Sequence, residues 1–210
     1  MKTQHFTSKT SPVSRTNSDL ANQPRNRTSL YGASIEYGLH CLLWLVNDDV
    51  ERASSRDLAE LQGVPPAMLA KIMSRMEKAG IVKSTNGISG GYTLARSPEE
   101  ISVLAVIDAI EGKRQLFDCK DVREGCILFG GTPPAWSSVG VCGIHRLMLR
   151  AERQMRAELA RSSLADLARN VPQPQQFNEL VASWIQDRSN SRHAARNAAL
   201  KQAPRKPRLK

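Results

Sequence analysis

The chain has 210 residues, 40% hydrophobic and 24% charged, which suffices for one ordinary domain or a small domain with an appended helical unit. That composition excludes fold-scale disorder, and no apolar run approaches the roughly 18 to 20 residues of a membrane-spanning helix. The net charge of +10 sits at the ends: residues 188–210 hold eight basic residues and no acid, residues 1–30 hold five against Asp19, and 31–187 has 17 bases against 19 acids, a net of −2. The high isoelectric point therefore describes the tails, and a nucleic-acid reading must rest on the body. There, 52–96 sets Arg52, Arg56, Lys71, Arg75, Lys78, Lys83 and Arg96 against Asp57, Glu60 and Glu77, a local basic face.

The first 30 residues contain ten Ser/Thr and two Pro without periodicity, the composition of a disordered arm. They are mostly polar and do not follow the pattern of a secretory signal, a charged segment followed by an apolar one. The expectation is a soluble, cytoplasmic protein with reduced thiols and no membrane association, and the sequence identifies no small-molecule substrate.

From Tyr31 the pattern turns helical: Ile35, Leu39, Leu42, Leu43 and Val46 recur at three and four residues, ending near Asn47 and Asp48. Ser54 or Ser55 caps a second helix from Arg56 to Gln62, with Leu58, Ala59 and Leu61 inward and Gly63 at its end. Pro65 and Pro66 open a third, whose stripe is Met68, Leu69, Ile72, Met73 and Met76 before Gly80. Ile81-Val82-Lys83, a glycine-rich tip, and Tyr92-Thr93-Leu94 then read as a β-hairpin. Two helices joined by a tight turn and followed by such a hairpin make a winged helix-turn-helix.

Ser102 caps a fourth helix from Val103 to Glu111, stopped by Gly112. Residues 113–140 are rich in Gly and Pro, and so long an irregular connection usually has a functional reason. A long amphipathic helix follows from Gly143 to about Ser162, with Ile144, Leu147, Met148, Ala151, Met155 and Leu159 on one side. Its apolar stripe wants a partner, and pairing of two copies suits a protein that reads two-fold related DNA. Phe177, Leu180, Val181, Trp184 and Ile185 add a short helix before the basic tail. The expected fold is mainly α, a winged helix-turn-helix with a small hairpin wing and a long dimerisation helix. Its segments are an arm (1–30), the DNA-binding domain (31–112), a cysteine-bearing loop (113–142), the dimerisation helix with its extension (143–187), and a disordered basic tail (188–210).

Three of only four cysteines, Cys119, Cys126 and Cys142, fall in the irregular stretch, beside the step Cys142-Gly-Ile-His145. That clustering points to a cofactor or redox site, whereas Cys41, next to Leu42 on the first helix, reads as a buried small hydrophobe.

The hairpin Gly87-Ile-Ser-Gly-Gly-Tyr92, preceded by Leu69 to Val82 and followed by a fourth helix and the cysteines, resembles the Rrf2 family, the IscR-like winged-helix repressors. The resemblance runs from about Leu30 to Leu167. It implies that the three cysteines hold an iron–sulfur cluster (2Fe–2S or 4Fe–4S), whose state alters DNA binding in response to cluster supply, nitric oxide, iron or redox status. It implies His145, three positions after Cys142, as a fourth ligand. Glu36 or His40, which share a helical face, are the alternative, supplied by the partner chain of a homodimer. Six residues separate Cys119 from Cys126, close to the family habit, but fifteen separate Cys126 from Cys142, where the family gap is much shorter.

The resemblance also places Ala67 to Arg75 in the major groove and Ser84 to Gly91 at the minor groove of double-stranded DNA. On chemistry, Lys71, Ser74 and Arg75 suit phosphate contact and one base, and Arg56 and Lys83 suit phosphate clamping. Sequence reading then falls on Asn86 and the wing, Ser84, Gly87, Gly90 and Gly91. The basic tail adds nonspecific affinity that falls steeply with salt. The competing readings are a cluster-free regulator using the cysteines for zinc or a thiol switch, and an iron–sulfur redox protein. No phosphate loop, nucleophile elbow or paired acid and base supports catalysis.

Overall fold

The structure is a computed structural model and describes residues 29–87, 90–120, 122–170 and 175–202. The expected arm at 1–28, the wing tip at Ile88 and Ser89, and the chain end at 203–210 lie outside the described residues.

Helix α1 (Ala33–Leu45) is joined to α2 (Ser55–Gln62) by the Gln62 side chain, which donates to the Tyr37 carbonyl at 3.2 Å, and packs on α3 (Pro66–Lys78), which pairs with α2 as the helix-turn-helix. The caps are those the sequence announces. Ser54 accepts a hydrogen bond from the Asp57 amide at 3.1 Å, Gly63 closes α2 at φ +66°, and Pro66 opens α3 where a missing amide costs nothing. Strand β1 (Val82–Thr85) pairs antiparallel with β2 (Gly91–Leu94), in the register Val82 to Leu94 and Thr85 to Gly91. Helix α4 (Val103–Glu111), capped by Ser102, completes the unit. Leu42, Leu58, Leu69, Met73, Met76, Ile81, Ile101 and Ile110 form one fully buried core beneath the three helices and the wing.

Two departures concern this unit. Met68, expected in the inner stripe of α3, is 37% exposed at its first turn. The wing has a third partner: Ala53 exchanges hydrogen bonds with Tyr92 at 3.2 and 2.8 Å, tying the segment before α2 to β2.

The loop after α4 is irregular, with a 3-10 turn at Ile127–Phe129 and a one-turn helix α5 (Ala135–Ser138). Helix α6 (Gly143–Arg161) follows and has no buried residue. It is tied to α4 by the Arg156 guanidinium, which donates to both carboxylate oxygens of Asp108 at 3.2 and 2.7 Å. The chain then returns to the winged unit. The Leu164 amide donates to the Ile101 carbonyl at 2.8 Å, and a short helix α7 (Leu164–Asn170) buries Leu164.

The largest correction is at the C-terminus. Residues 188–202, expected as part of a disordered tail, belong to a helix α8 (Gln175–Gln202). Alanine, arginine and lysine in His193 to Lys201 are good helix formers, and the helix is seeded by docking of its first half, where Val181 and Ile185 are buried. Among the described residues no helix is long and apolar enough to cross a membrane.

Candidate nucleic-acid interface and cysteine site

Lys71 is exposed on α3, with Ala67, Met68 and Ala70 in its first turns, and Ser74 is half-buried. Arg75 is exposed but its guanidinium donates to the Ile110 carbonyl at the end of α4. It therefore closes a helix C-terminus, a structural task the sequence does not announce, because Ile110 lies 35 positions away. Arg56 on α2 and Lys83 on β1 are exposed and have no ion pair among the described residues.

At the wing, the Ser84 amide and hydroxyl both donate to Glu77 of α3, the amide at 3.1 Å. Burial, and then the Glu77 charge, raises the Tyr92 phenol above its ordinary value. Glu77 thus fastens the wing to α3, and Ser84 is engaged in that contact. Arg96 donates to the Gly80 carbonyl at 3.1 Å and fixes the other side. Asn86 and Gly87 are exposed, Gly87 at φ +115°. Gly90 and Gly91 are architectural. A Cβ on Gly90 would meet the Thr85 carbonyl oxygen at 2.4 Å, and one on Gly91 the Ala53 backbone at 2.9 Å.

The cysteine loop is held by backbone contacts of arginines. Arg123 donates to the Gly140 carbonyl at 3.1 Å and Arg146 to the Val141 carbonyl at 3.2 Å, while Phe129 and Trp136 meet edge to face at 5.7 Å. Cys119 and Cys142 line one cavity of about 230 Å³ together with Phe117, Val122 and Ile144. Cys126 does not line it, and the His145 ring lies 6.1 Å from Phe117. The donor set suits a thiolate-bound group in kind, three partly exposed cysteines outside any disulfide, two of them on one cavity. It is not assembled within one chain: among the described residues no group of three Cys, His, Asp or Glu side chains is placed to hold a metal ion. Glu36 and His40 are both exposed on α1.

Cys41 behaves as its neighbours suggest. It is fully buried, accepts a hydrogen bond from Gln62 at 2.7 Å, and burial pushes its thiol up to about 12. Iodoacetamide at about pH 8 is expected to label Cys119, Cys126 and Cys142 in the folded, metal-free protein and to leave Cys41 intact, as read by peptide mass mapping. Labelling of Cys41 at the rate of the loop thiols would show that α1 is not packed as described.

The family model for Rrf2, described as an iron-dependent transcriptional regulator, matches residues 31–170. A Mycobacterium tuberculosis protein named as an HTH-type transcriptional regulator, Rv1287, is 32% identical over 141 residues, 67% of this chain and 81% of its own. The transcriptional repressor NsrR of Streptomyces coelicolor is 29% identical over 125 residues, 60% of this chain and 77% of its own. The solved structure of CymR, the global cysteine regulator of B. subtilis, has a TM-score of 0.52 at 21% identity, covering 67% of this chain and 97% of CymR. That last likeness is one of fold. The helix-turn-helix pair followed by the β1–β2 wing is a winged helix, and the family match makes the protein a transcriptional regulator and not an enzyme. The chain belongs to the Rrf2 family.

Proposed function

We propose that the protein is a homodimeric DNA-binding repressor whose cysteine loop, through an iron–sulfur cluster, sets the affinity for its operator. The observation that carries this reading is the cavity shared by Cys119 and Cys142, at the junction between the loop and α6. Cys119, Cys126 and Cys142 would hold the cluster, with His145 or the partner chain's copy of Glu36 or His40 as fourth ligand. When bound, such a group supplies an electron-accepting centre whose charge changes with oxidation or loss.

The chain's own residues transmit that change. Arg156 and Asp108 join α6 to α4, and Arg75 joins the end of α4 to α3, so a shift of the loop and α6 reaches the recognition helix through charged contacts. On DNA, Lys71 and Arg56 suit phosphates, exposed Met68 suits a thymine methyl, and Lys83 and Asn86 suit the backbone and minor groove. Gly87, Gly90 and Gly91 shape the wing that carries Asn86.

The relative NsrR is named a repressor, and the family description names iron dependence; both support this reading. A second reading, a thiol switch, draws on the same cavity. Oxidation of Cys119 and Cys142 by a peroxide would form one disulfide, the two thiol hydrogens leaving with the reduced oxidant as water. Anaerobic purification separates the readings. A brown protein with iron and acid-labile sulfide, whose visible absorption is lost in Cys119→Ala, Cys126→Ala and Cys142→Ala, supports the cluster. A colourless protein that loses two hydrogens in mass on peroxide treatment supports the switch, and stoichiometric zinc contradicts both.

A further inference from the structure

Helix α8 lies wholly beyond residues 31–170, the stretch common to the family. Its docking follows one line. The Asn47 side chain donates to the Asn178 carbonyl at 3.1 Å, Val181 and Trp184 line a groove with Leu61, Arg188 pairs with Glu60, and Arg192 pairs with Asp57. As numbers rise along α8 they fall along α2, so the two helices run antiparallel, and Arg192 stands level with the first turn of α2. His193 to Gln202 continue past that end by roughly 15 Å at the rise of an α-helix.

Arg188, Arg192 and Arg196 are spaced by four and share one helical face. Glu60 and Asp57 neutralise the first two. Arg196, next in the row, lies beyond the first turn of α2 and its two acids. Arg196 and Lys201 are exposed, have no ion pair among the described residues, and lie in a segment, 193–202, without any acid. In a helix-turn-helix docked on a duplex, the helix before the recognition helix crosses the phosphate backbone. Here that helix is α2, and α8 extends its line with uncompensated cations.

We propose that the projecting end of α8 is a second DNA-contacting element, in which Arg196 and Lys201 bind phosphates of the duplex held by the winged helix, beyond the base pairs reached by α3 and the wing. This rests on the DNA-binding reading and adds to it a contact from outside the common family fold. The occupant is double-stranded DNA because the overhang offers positive charge on a rigid rod, and in His193 to Gln202 Leu200 is the one apolar residue larger than alanine, too little to attract a protein partner.

The test is fluorescence anisotropy of the full chain with a mixed-sequence duplex of about 30 base pairs, titrated over a range of salt. Arg196→Ala with Lys201→Ala is expected to weaken binding roughly tenfold at moderate salt and to make the log–log salt slope shallower by about 2, close to 0.9 per lost phosphate contact. Charge reversal, Arg196→Glu with Lys201→Glu, should weaken it further. The thermal midpoint should not move in either variant, since both positions are exposed. An unchanged slope, or weakened binding accompanied by a lower midpoint, overturns the proposal. Failure of the wild-type protein to bind any duplex is a different result and takes the DNA-binding reading with it.

Discussion

Replacing Ile144 and Leu147 together by Asp is expected to turn the proposed dimer of twice 23.2 kDa into a monomer in light scattering, and to lower affinity for a two-fold related operator at least ~100-fold. The cause lies in α6. Ile144 is 65% and Leu147 53% exposed within a single chain, and Val139 and Val141 continue the apolar surface into the cysteine loop. Exposed apolar side chains on a helix with no buried residue support the proposed interface. Burying each such side chain contributes about 1.5–3 kcal/mol, and the double substitution removes four of them per dimer while placing four carboxylates against one another. Ile144 also lines the Cys119–Cys142 cavity, so dimerisation and closure of the cysteine site are expected to be coupled. A variant that stays dimeric would place the interface elsewhere.

Arg192→Met is the substitution with the largest expected effect on stability. Asp57 is 1% exposed, and its carboxylate is satisfied by the Ser54 hydroxyl at 2.7 Å and by Arg192. Removing only the arginine strands a buried charge, which costs 3–5 kcal/mol when both partners are fully buried. Arg192 is one-third exposed, so about 2–3 kcal/mol is expected, a drop of roughly 5–10 °C in Tm by thermal unfolding. Adding Asp57→Asn should recover most of the loss, because the stranded charge is gone. A double variant as unstable as the single would locate the effect in packing along α8 instead.

The parts of the fold written in local chemistry were readable from the chain. Ser54, Pro66 and Ser102 mark helix starts, and α4 spans the predicted Val103–Glu111 because its cap, stripe and terminal glycine lie within eleven consecutive residues. Helix α7 also has a local signal, Ser163 with Asp166 three residues on, a capping pair the apolar periodicity did not reveal. What stayed hidden depends on distant partners. Arg192 meets Asp57 across 135 positions and Arg188 meets Glu60 across 128, so the basic segment reads as a solvated tail until α2 supplies its acids.

The candidate site divides in the same way. Thiol chemistry singles out Cys119, Cys126 and Cys142 and sets Cys41 apart, and the structure keeps that separation of buried from accessible thiols. The arrangement of the three is not local. The fifteen residues before Cys142 include the Phe129–Trp136 contact and α5, which fill the interval with structure of their own. For the proposed DNA face, exposed Lys71, Arg56 and Lys83 follow from helix and strand phase, whereas the engagement of Arg75 and Ser84 by Ile110 and Glu77 is visible only in three dimensions.

In the proposed function the state of the cysteine loop governs DNA affinity. The most direct measurement uses the anaerobically purified protein and a duplex selected by it from a random-sequence pool, with affinity measured before and after removal of the iron by chelation. The two forms are expected to differ at least tenfold, about 1.4 kcal/mol, and Cys119→Ala to bind like the stripped form whether or not iron is supplied. Equal affinity of the loaded and stripped protein would contradict it.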